Sequence, residues 1–367
     1  MKRRTVVGAI APLSLAGCLR LQEDAGVDDG SDDDTGGGGG GDDDPGSGSD
    51  DDPGDELSYP TGLSDDGIST VLADAHRNAV TQQGAAVDIR REELSHAHDG
   101  FHWRLDVDGD EALGEIDWTN TPTVSMHFAS HSGYWRGMVG GEPTYGRHRR
   151  GNRSDLGFAM RTDELRAVLR AADWDRPEAD EDAGVFRVST DAIDDERLLI
   201  DTVNGESLES LSGSCTVDGE GIIRELDVEY EFTYQDQLFL NRFTIRSEDI
   251  GAVSVSDPEW FDTAVDRAPE MTATLVEDGQ FVELSHEGGN PISSQADIAI
   301  DGEVEGDLGG VQLTQPIEAG ETVYLYIEDG AAQSAREEIP AGASPTPFEG
   351  MVALWALFGM EYFFVET

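Results

Sequence analysis

Lysine is almost absent from this sequence. Lys2 is the only lysine in 367 residues, and arginine supplies the other basic residues. Against 24 basic residues stand 77 aspartates and glutamates, which gives a formal net charge of −53. Proteins bind nucleic acids and anionic membrane surfaces through clustered basic residues. The composition therefore excludes a polybasic membrane-surface protein and predicts no nucleic-acid partner.

The acid excess extends over the whole chain, since residues 57–367 still hold 62 acidic residues against 20 arginines. In dilute buffer such a charge strains the folded state by self-repulsion. At molar salt the Debye length falls to about 3 Å and the repulsion is screened. The composition resembles that of halophilic archaeal proteins, which implies a protein that works in concentrated brine.

Cysteine and the motifs of common enzymes are also scarce. Cys18 and Cys215 are the only cysteines, and Cys215 lies on an apolar stretch where we expect a small buried residue. The sequence has no nucleophile elbow, no Walker A motif, no paired-histidine zincin motif and no Cys-x-x-Cys. We therefore predict a binding protein rather than an enzyme, with no cofactor.

The N-terminus has the order of an export signal, predicted as residues 1–17. Basic Lys2-Arg3-Arg4 precedes the apolar run Thr5–Leu15, which is shorter than the about 20 residues of a membrane span. Arg3-Arg4 resembles a twin-arginine signal, and Leu15-Ala16-Gly17-Cys18 resembles a lipobox. These resemblances imply export by the twin-arginine route. They also imply a diacylglyceryl group on Cys18 that anchors the protein to the outer face of the cell membrane.

Residues 18–56 are rich in aspartate and glycine, including the run Gly36–Gly41. They contain too few apolar residues to form a core, so we expect a disordered tether after the lipidated Cys18. Glycine makes such a segment flexible, and repulsion between aspartates extends it. Its predicted role is to hold the folded part away from the membrane.

Residues 57–267 are predicted to form a mainly β domain with a few helices. Apolar and polar side chains alternate over Leu226–Tyr234, which is typical of a half-buried strand, and over Phe101–Val107. Helical spacing predicts two helices, and Asp257-Pro258-Glu259 is expected to open a third with Pro258 in its first turn. The apolar stripes of the first two are Ile68, Val71, Leu72, Ala75 and Ala79, and then Leu165, Val168, Leu169 and Ala172 after the N-cap Thr162.

Three motifs in this domain resemble a haloarchaeal family of lipid-anchored surface lipoproteins of uncharacterised function. They are Tyr59–Gly67, Val217–Ile223 and Pro258-Glu259-Trp260. The resemblance implies a fold similar to the half-barrel of lipoprotein-carrier proteins, in which a curved antiparallel sheet wraps around helices. In those carriers the concave face holds acyl chains. The resemblance carries over no catalytic residue.

The aromatic-rich apolar face of the predicted sheet suggests a ligand groove. We expect its side chains to line a concave core that is partly open to a ligand. The main hypothesis is therefore a surface lipoprotein that binds an apolar or lipid-like ligand in a half-barrel groove. The residues predicted to line the groove are Trp103, Leu105, Tyr230, Phe232 and Phe243.

Residues 268–367 are predicted to form a small β-sandwich, because short strands alternate with glycine-rich turns. Leu284–Ile292 and Ile317–Glu321 resemble the extracellular β-domain of haloarchaeal pilin-like proteins. The apolar tail Met351–Val365 is expected to supply closing strands, with an exposed partner-binding edge as the alternative. That alternative makes the protein an envelope adhesion or assembly module that binds another surface protein.

A metal-dependent hydrolase is the third hypothesis. Six of the eight histidines lie between His96 and His148, and Asp106, Asp108 and Asp110 alternate as in a calcium loop. Glu111 stands where that calcium motif requires glycine, and a hairpin turn explains the same residues. We therefore predict no metal site.

A basic cluster offers a further candidate site. It is either an anion site or a set of arginines paired with surplus carboxylates. Asn152-Arg153-Ser154 is a glycosylation sequon, which makes Asn152 the predicted acceptor. We expect a monomer whose partners are the membrane and a lipid or an envelope protein. The cluster consists of Arg147, Arg149, Arg150 and Arg153.

Overall fold

The computed structural model describes residues 58–95, 100–118, 123–129, 132–139, 142–148, 155–294, 296–303, 310–336, 338–343, 345–357 and 361–367. The helices are α1 (Val71–Gln83), α2 (Asp155–Ala159), α3 (Thr162–Ala171), α4 (Arg197–Val203) and α5 (Phe261–Arg267). The strands, in chain order, are β1 (Leu63–Ser64), β2 (Gly67–Ile68), β3 (Ala85–Glu93), β4 (Gly100–Asp108), β5 (Glu111–Trp118), β6 (Val124–Ala129), β7 (Ser132–Val139), β8 (Glu142–His148), β9 (Glu178–Asp180), β10 (Val185–Thr190), β11 (Ser207–Asp218), β12 (Ile223–Tyr234), β13 (Gln237–Glu248), β14 (Glu270–Val276), β15 (Phe281–Gly288), β16 (Asp297–Glu303), β17 (Val311–Gln312), β18 (Thr322–Glu328), β19 (Ala331–Arg336), β20 (Glu349–Leu357) and β21 (Glu361–Glu366).

One curved sheet of 15 strands dominates the molecule. Its order is β17-β16-β20-β21-β8-β7-β6-β5-β4-β3-β13-β12-β11-β10-β9. Neighbouring strands are antiparallel, except that β21 runs parallel to β8. Helices α1 to α4 contribute to the apolar core on one face of this sheet, which is the concave face. The predicted α+β half-barrel is confirmed.

The strand patterns in the sequence place the correct residues on the concave face. In β12, Leu226, Val228 and Tyr230 are buried, while the residues between them face outward. Phe232 of β12 lies opposite Phe239 of β13, the strand that forms a hairpin with β12. Alternation in a strand sends successive side chains to opposite faces, which is why the sequence pattern was sufficient here.

The apolar face predicted for α1 is wrong, because the face that the structure buries is rotated from it by part of a turn. Val71 is 52% exposed, and Ile68 belongs to β2 rather than to the helix. The helix instead buries a face that includes a polar residue, His76. The Nδ1 atom of His76 accepts a hydrogen bond from the backbone N–H of Ile223 at 3.2 Å. This contact joins α1 to the start of β12 and fixes the rotation of the helix.

His76 should make stability depend on pH between about 4 and 6.5. Burial lowers the pKa of His76 to about 4, so the folded protein keeps this ring neutral while the unfolded chain protonates it below about 6.5. Stability is therefore complete above about pH 6.5 and falls by about 3 kcal/mol as the pH drops to 4. Denaturant unfolding at a series of pH values measures this slope, and His76→Gln should flatten it. An equal slope in His76→Gln and in the control His102→Gln would contradict the assignment.

Two helix starts also differ from the prediction. Thr162 is the first residue of α3 and not its cap, because Arg161 precedes it in the left-handed conformation with φ of 52°. Pro258 lies before α5, where its carbonyl accepts a hydrogen bond from the N–H of Phe261 at 2.9 Å. α5 packs on Tyr134 and Tyr145, which lie on the face of the sheet opposite to α1.

The chain after α5 forms two facing sheets around a second core. β14, β15, β18 and β19 form a sheet of four strands, and β16, β17 and β20 belong to the large sheet. Val282, Leu284 and Leu325 of the first sheet pack with Ile298 and Ile300 of the second. The predicted sandwich strands are present, and β19 is an additional strand that its polar sequence did not indicate.

The apolar tail forms β20 and β21. β20 lies between β16 and β21, and β21 lies between β20 and β8. The tail therefore closes the sandwich, as expected, and also joins it to the half-barrel. The alternative of an exposed edge is wrong for these strands, because both are paired on each side. Among the described residues, no helix is both long and apolar enough to cross a membrane.

Candidate functional site

The five residues predicted to line the groove come together in the concave core. β4 contributes Trp103 and Leu105, β12 contributes Tyr230 and Phe232, and β13 contributes Phe243. Each is at most 6% exposed. In the described part of the chain these side chains lie in the core beneath the helices, and the predicted opening to solvent is not seen. Any ligand that reaches them must displace part of the cover.

α2 covers the part of the concave face that β4 to β7 form. Phe158 of α2 lies 5.4 Å from Trp103 and 6.4 Å from Trp135, measured between ring centroids, in edge-to-face geometry. Trp135 in turn lies 6.2 Å from Phe128. Phe158 is only partly buried, whereas the rings beneath it are buried. Phe158 therefore lies between solvent and the buried rings of Trp103, Trp135 and Phe128, which are here called the aromatic slot.

α2 is a short helix of low intrinsic stability. It has five residues, shorter than the length at which a helix is stable on its own, so packing must hold it in place. Gly157 lies at its centre, where glycine costs about 1 kcal/mol relative to alanine. A β-carbon at Gly157 would find its nearest neighbour, an atom of Arg77, at 3.7 Å. Space therefore does not explain the glycine, and its consequence is a less stable α2.

A buried charged cluster fixes the junction between α2 and α3. Arg161 donates to Glu164 at 2.6 Å, and Arg91 of β3 donates to the same carboxylate at 3.2 Å. The Arg161 guanidinium also lies over the rings of Phe101 and Trp103, at 4.8 and 5.6 Å. These contacts hold Arg161 in its left-handed conformation, which is costly for a residue with a β-carbon.

The electrostatics of Glu164 follow from that geometry. Burial acts to raise its pKa, but the charges and hydrogen bonds of Arg91 and Arg161 outweigh burial, and the pKa is lowered. Glu164 is therefore a carboxylate that ties β3 to the start of α3. This contact fixes the position of the start of α3 relative to the sheet.

The predicted anion site is only partly described. Arg147 pairs with Glu270 at 2.8 Å and lies over the ring of Tyr134 at 5.5 Å. This pairing favours the alternative in which the arginines neutralise surplus carboxylates. The other predicted positions lie outside the described residues: Arg149, Arg150, Arg153, the sequon Asn152 and the lipobox Cys18.

Two of the six clustered histidines, His102 and His127, have structural contacts. His102 pairs with Asp88 at 2.7 Å, and His127 is buried against Phe261 with a ring distance of 4.8 Å. Gly109 and Asp110 form the turn between β4 and β5, so the aspartates near them belong to a hairpin. Within the described ranges, no three histidine, cysteine or acidic side chains come together as metal ligands. His96, His98 and His131 lie outside those ranges.

An open groove of about 610 Å³ lies on the opposite, outer face of the sheet. Its floor is the outer side of β3, β4 and β5, and one wall includes Trp260. Sequence reasoning missed this groove, because it depends on which strands become neighbours. It is separate from the aromatic slot under α2.

Comparison with known proteins gives little further information. No family model and no curated protein matches the chain. Among solved structures, a LolA superfamily protein from Nitrosomonas europaea matches with 11% sequence identity and a TM-score of 0.21. The match covers 51% of this chain and 93% of the other. A likeness at this level carries no argument, so the half-barrel rests on the strand order and packing of this chain.

Proposed function

We propose that this protein binds an apolar, lipid-like ligand in the concave core of the half-barrel and does not act as an enzyme. The observation that carries the proposal is the position of Phe158. This one side chain, on a five-residue helix, packs over the buried rings of Trp103 and Trp135.

Apolar chemistry follows from the residues beneath α2. Met126, Phe128 and Ile116 are buried beside the two tryptophans. If α2 moves outward, these side chains become the walls of a pocket that water solvates poorly. A hydrocarbon chain that enters replaces the contacts of Phe158, so the cost of exposing the core is recovered. A strongly polar ligand gains nothing comparable there.

The charged cluster makes this opening local. Glu164 lies at the start of α3 and is tied to β3 through Arg91. α3 and the sheet can therefore stay together while α2 alone moves. Motion of short covers over a site is a common way of admitting a ligand and then excluding water.

The test uses a matched pair of substitutions in the cover. Gly157→Ala should stabilise α2 by about 1 kcal/mol and slow ligand uptake about fivefold. Phe158→Ala removes the ring that closes the slot and should speed uptake. The probe is cis-parinaric acid, a fluorescent fatty acid, mixed with the purified protein in concentrated KCl in a stopped-flow instrument.

Gly288→Ala serves as the control, because this residue of β15 has open space for a β-carbon and lies far from α2 in the fold. It should leave the uptake rate unchanged. A wild-type protein that takes up no cis-parinaric acid contradicts the proposed function. Equal rates in Gly157→Ala, Phe158→Ala and the wild type contradict the role of α2.

The surface location belongs to the same proposal. A lipidated Cys18 would tether the half-barrel to the outer face of the membrane, at a distance set by residues 19–56, so that membrane lipids are its nearest source of apolar ligands. The export signal, the lipobox and the Asp/Gly tether support this location by their sequence alone. We do not propose adhesion through the tail, since β20 and β21 are paired on both sides.

A further inference from the structure

The groove on the outer face lies between the sheet and the segment that follows β13. The segment of residues 249–260, here called the strap, leaves the end of β13 and crosses this face before α5. The N–H of Gly251 donates to the carbonyl of Gly84 at 2.9 Å, which holds the start of the strap beside β3. Pro258 and Trp260, near its other end, line the groove. The strap and the outer side of the sheet thus enclose the outer groove, which is open to solvent.

One row of side chains across β13, β3, β4 and β5 places a small residue between larger ones on the floor of the outer groove. The strand registers place Glu248 opposite Ala86, Ala86 opposite Asp106, and Asp106 opposite Leu113. Neighbouring strands are about 4.8 Å apart, so the two carboxylates stand on either side of the small Ala86. Ala86 and Leu113 together with Trp260 supply an apolar surface inside the outer groove.

The next row supplies fixed polar groups of both signs. In order across the strands it contains Arg246, Asp88, Arg104 and Glu115. Arg104 contacts the carboxylate of Asp117 at 2.8 Å and that of Glu115 at 3.5 Å. Asp88 is contacted by Arg90 at 2.8 Å and by His102 at 2.7 Å, and Arg246 contacts Glu225 at 2.9 Å. These pairs hold the side chains in place and leave further N–H groups and lone pairs free for a ligand.

We propose that this groove binds a neutral carbohydrate, namely a short oligosaccharide. A sugar ring has an apolar face of C–H groups, which fits Trp260 and Leu113, and hydroxyl groups that both donate and accept hydrogen bonds. Hydroxyls can satisfy carboxylates and guanidinium groups in the same groove. An anion would meet the four carboxylates, and a lipid chain would leave the charged row unsolvated. The volume lies within the usual range of small-molecule sites.

The experiment measures binding of maltotriose, cellotriose and mannotriose to the full protein by calorimetry in concentrated KCl. At least one trisaccharide should bind with one site per chain. Arg104→Gln and Trp260→Leu should each weaken its Kd about tenfold, since each removes one side of the groove. Arg104 is an exposed side chain, so its variant tests the site without affecting the core.

The controls separate this site from others. Arg187→Gln removes an exposed arginine of β10 that pairs with Asp180 outside the groove, and it should leave Kd unchanged. Phe158→Ala should also leave Kd unchanged, because the concave core is a different site. Absence of binding by all three sugars overturns the proposal, as does a Kd that Arg104→Gln and Trp260→Leu do not alter. Tetramethylammonium binding that Trp260→Leu weakens and Arg104→Gln strengthens would instead make the groove a cation site.

Discussion

Glu164→Gln should destabilise the half-barrel by about 3–5 kcal/mol, the usual cost of removing one partner from a buried ion pair. The substitution keeps the size of the side chain but removes the charge that Arg91 and Arg161 share. It leaves two guanidinium groups beside an uncharged amide in the core, and it weakens the contact that holds Arg161 in its left-handed conformation. Denaturant unfolding at neutral pH in concentrated KCl measures the loss.

Asp163→Asn is the matched control, because Asp163 is the neighbouring acid of α3 and pairs with Arg166 while 61% exposed. An exposed pair of this kind contributes at most about 1 kcal/mol. The lowered pKa of Glu164 adds a second readout. Its contribution is complete above the unfolded pKa of about 4.3 and is lost as the pH falls through the lower folded pKa. Equal losses in Glu164→Gln and Asp163→Asn would show that the cluster has no special role.

Removal of salt should abolish the cooperative unfolding transition. The described arginines are largely used in local pairs with carboxylates, so most of the acidic surplus remains unneutralised. We expect the thermal transition to disappear below about 0.5 M KCl, where the screening length exceeds about 4 Å. Calorimetry over a series of KCl concentrations measures this effect. Sucrose at matched osmolality should not restore the transition, and full stability in dilute buffer would contradict a halophilic protein.

The strands could be predicted from the sequence because their faces depend only on alternation. Leu226–Tyr234 has its apolar residues on one side whatever lies next to it, and β12 has that face in the core. The same argument gave the concave positions of Trp103 and Phe243. The sandwich strands followed from short apolar stretches between turns.

The buried faces of the helices and the positions of both candidate sites depend on tertiary contacts. The local sequence pattern does not contain this information. α1 turns toward Ile223, a distant residue, so His76 is buried and Val71 is exposed. Phe158 follows a glycine in a short segment without helical periodicity, and nothing there indicated a cover. The outer groove exists because β13 pairs with β3, which brings Glu248 beside Ala86.

The parallel pairing of β21 with β8 also has a consequence for the order of folding. β8 ends at His148, and its partner begins only at Glu361. This edge of the half-barrel must therefore wait, during synthesis, for a strand that leaves the ribosome much later. Contacts between such distant segments form slowly, and an unpaired edge is prone to association with other chains in the interval. Export of the chain after folding would keep that interval inside the cell, where chaperones can protect the open edge.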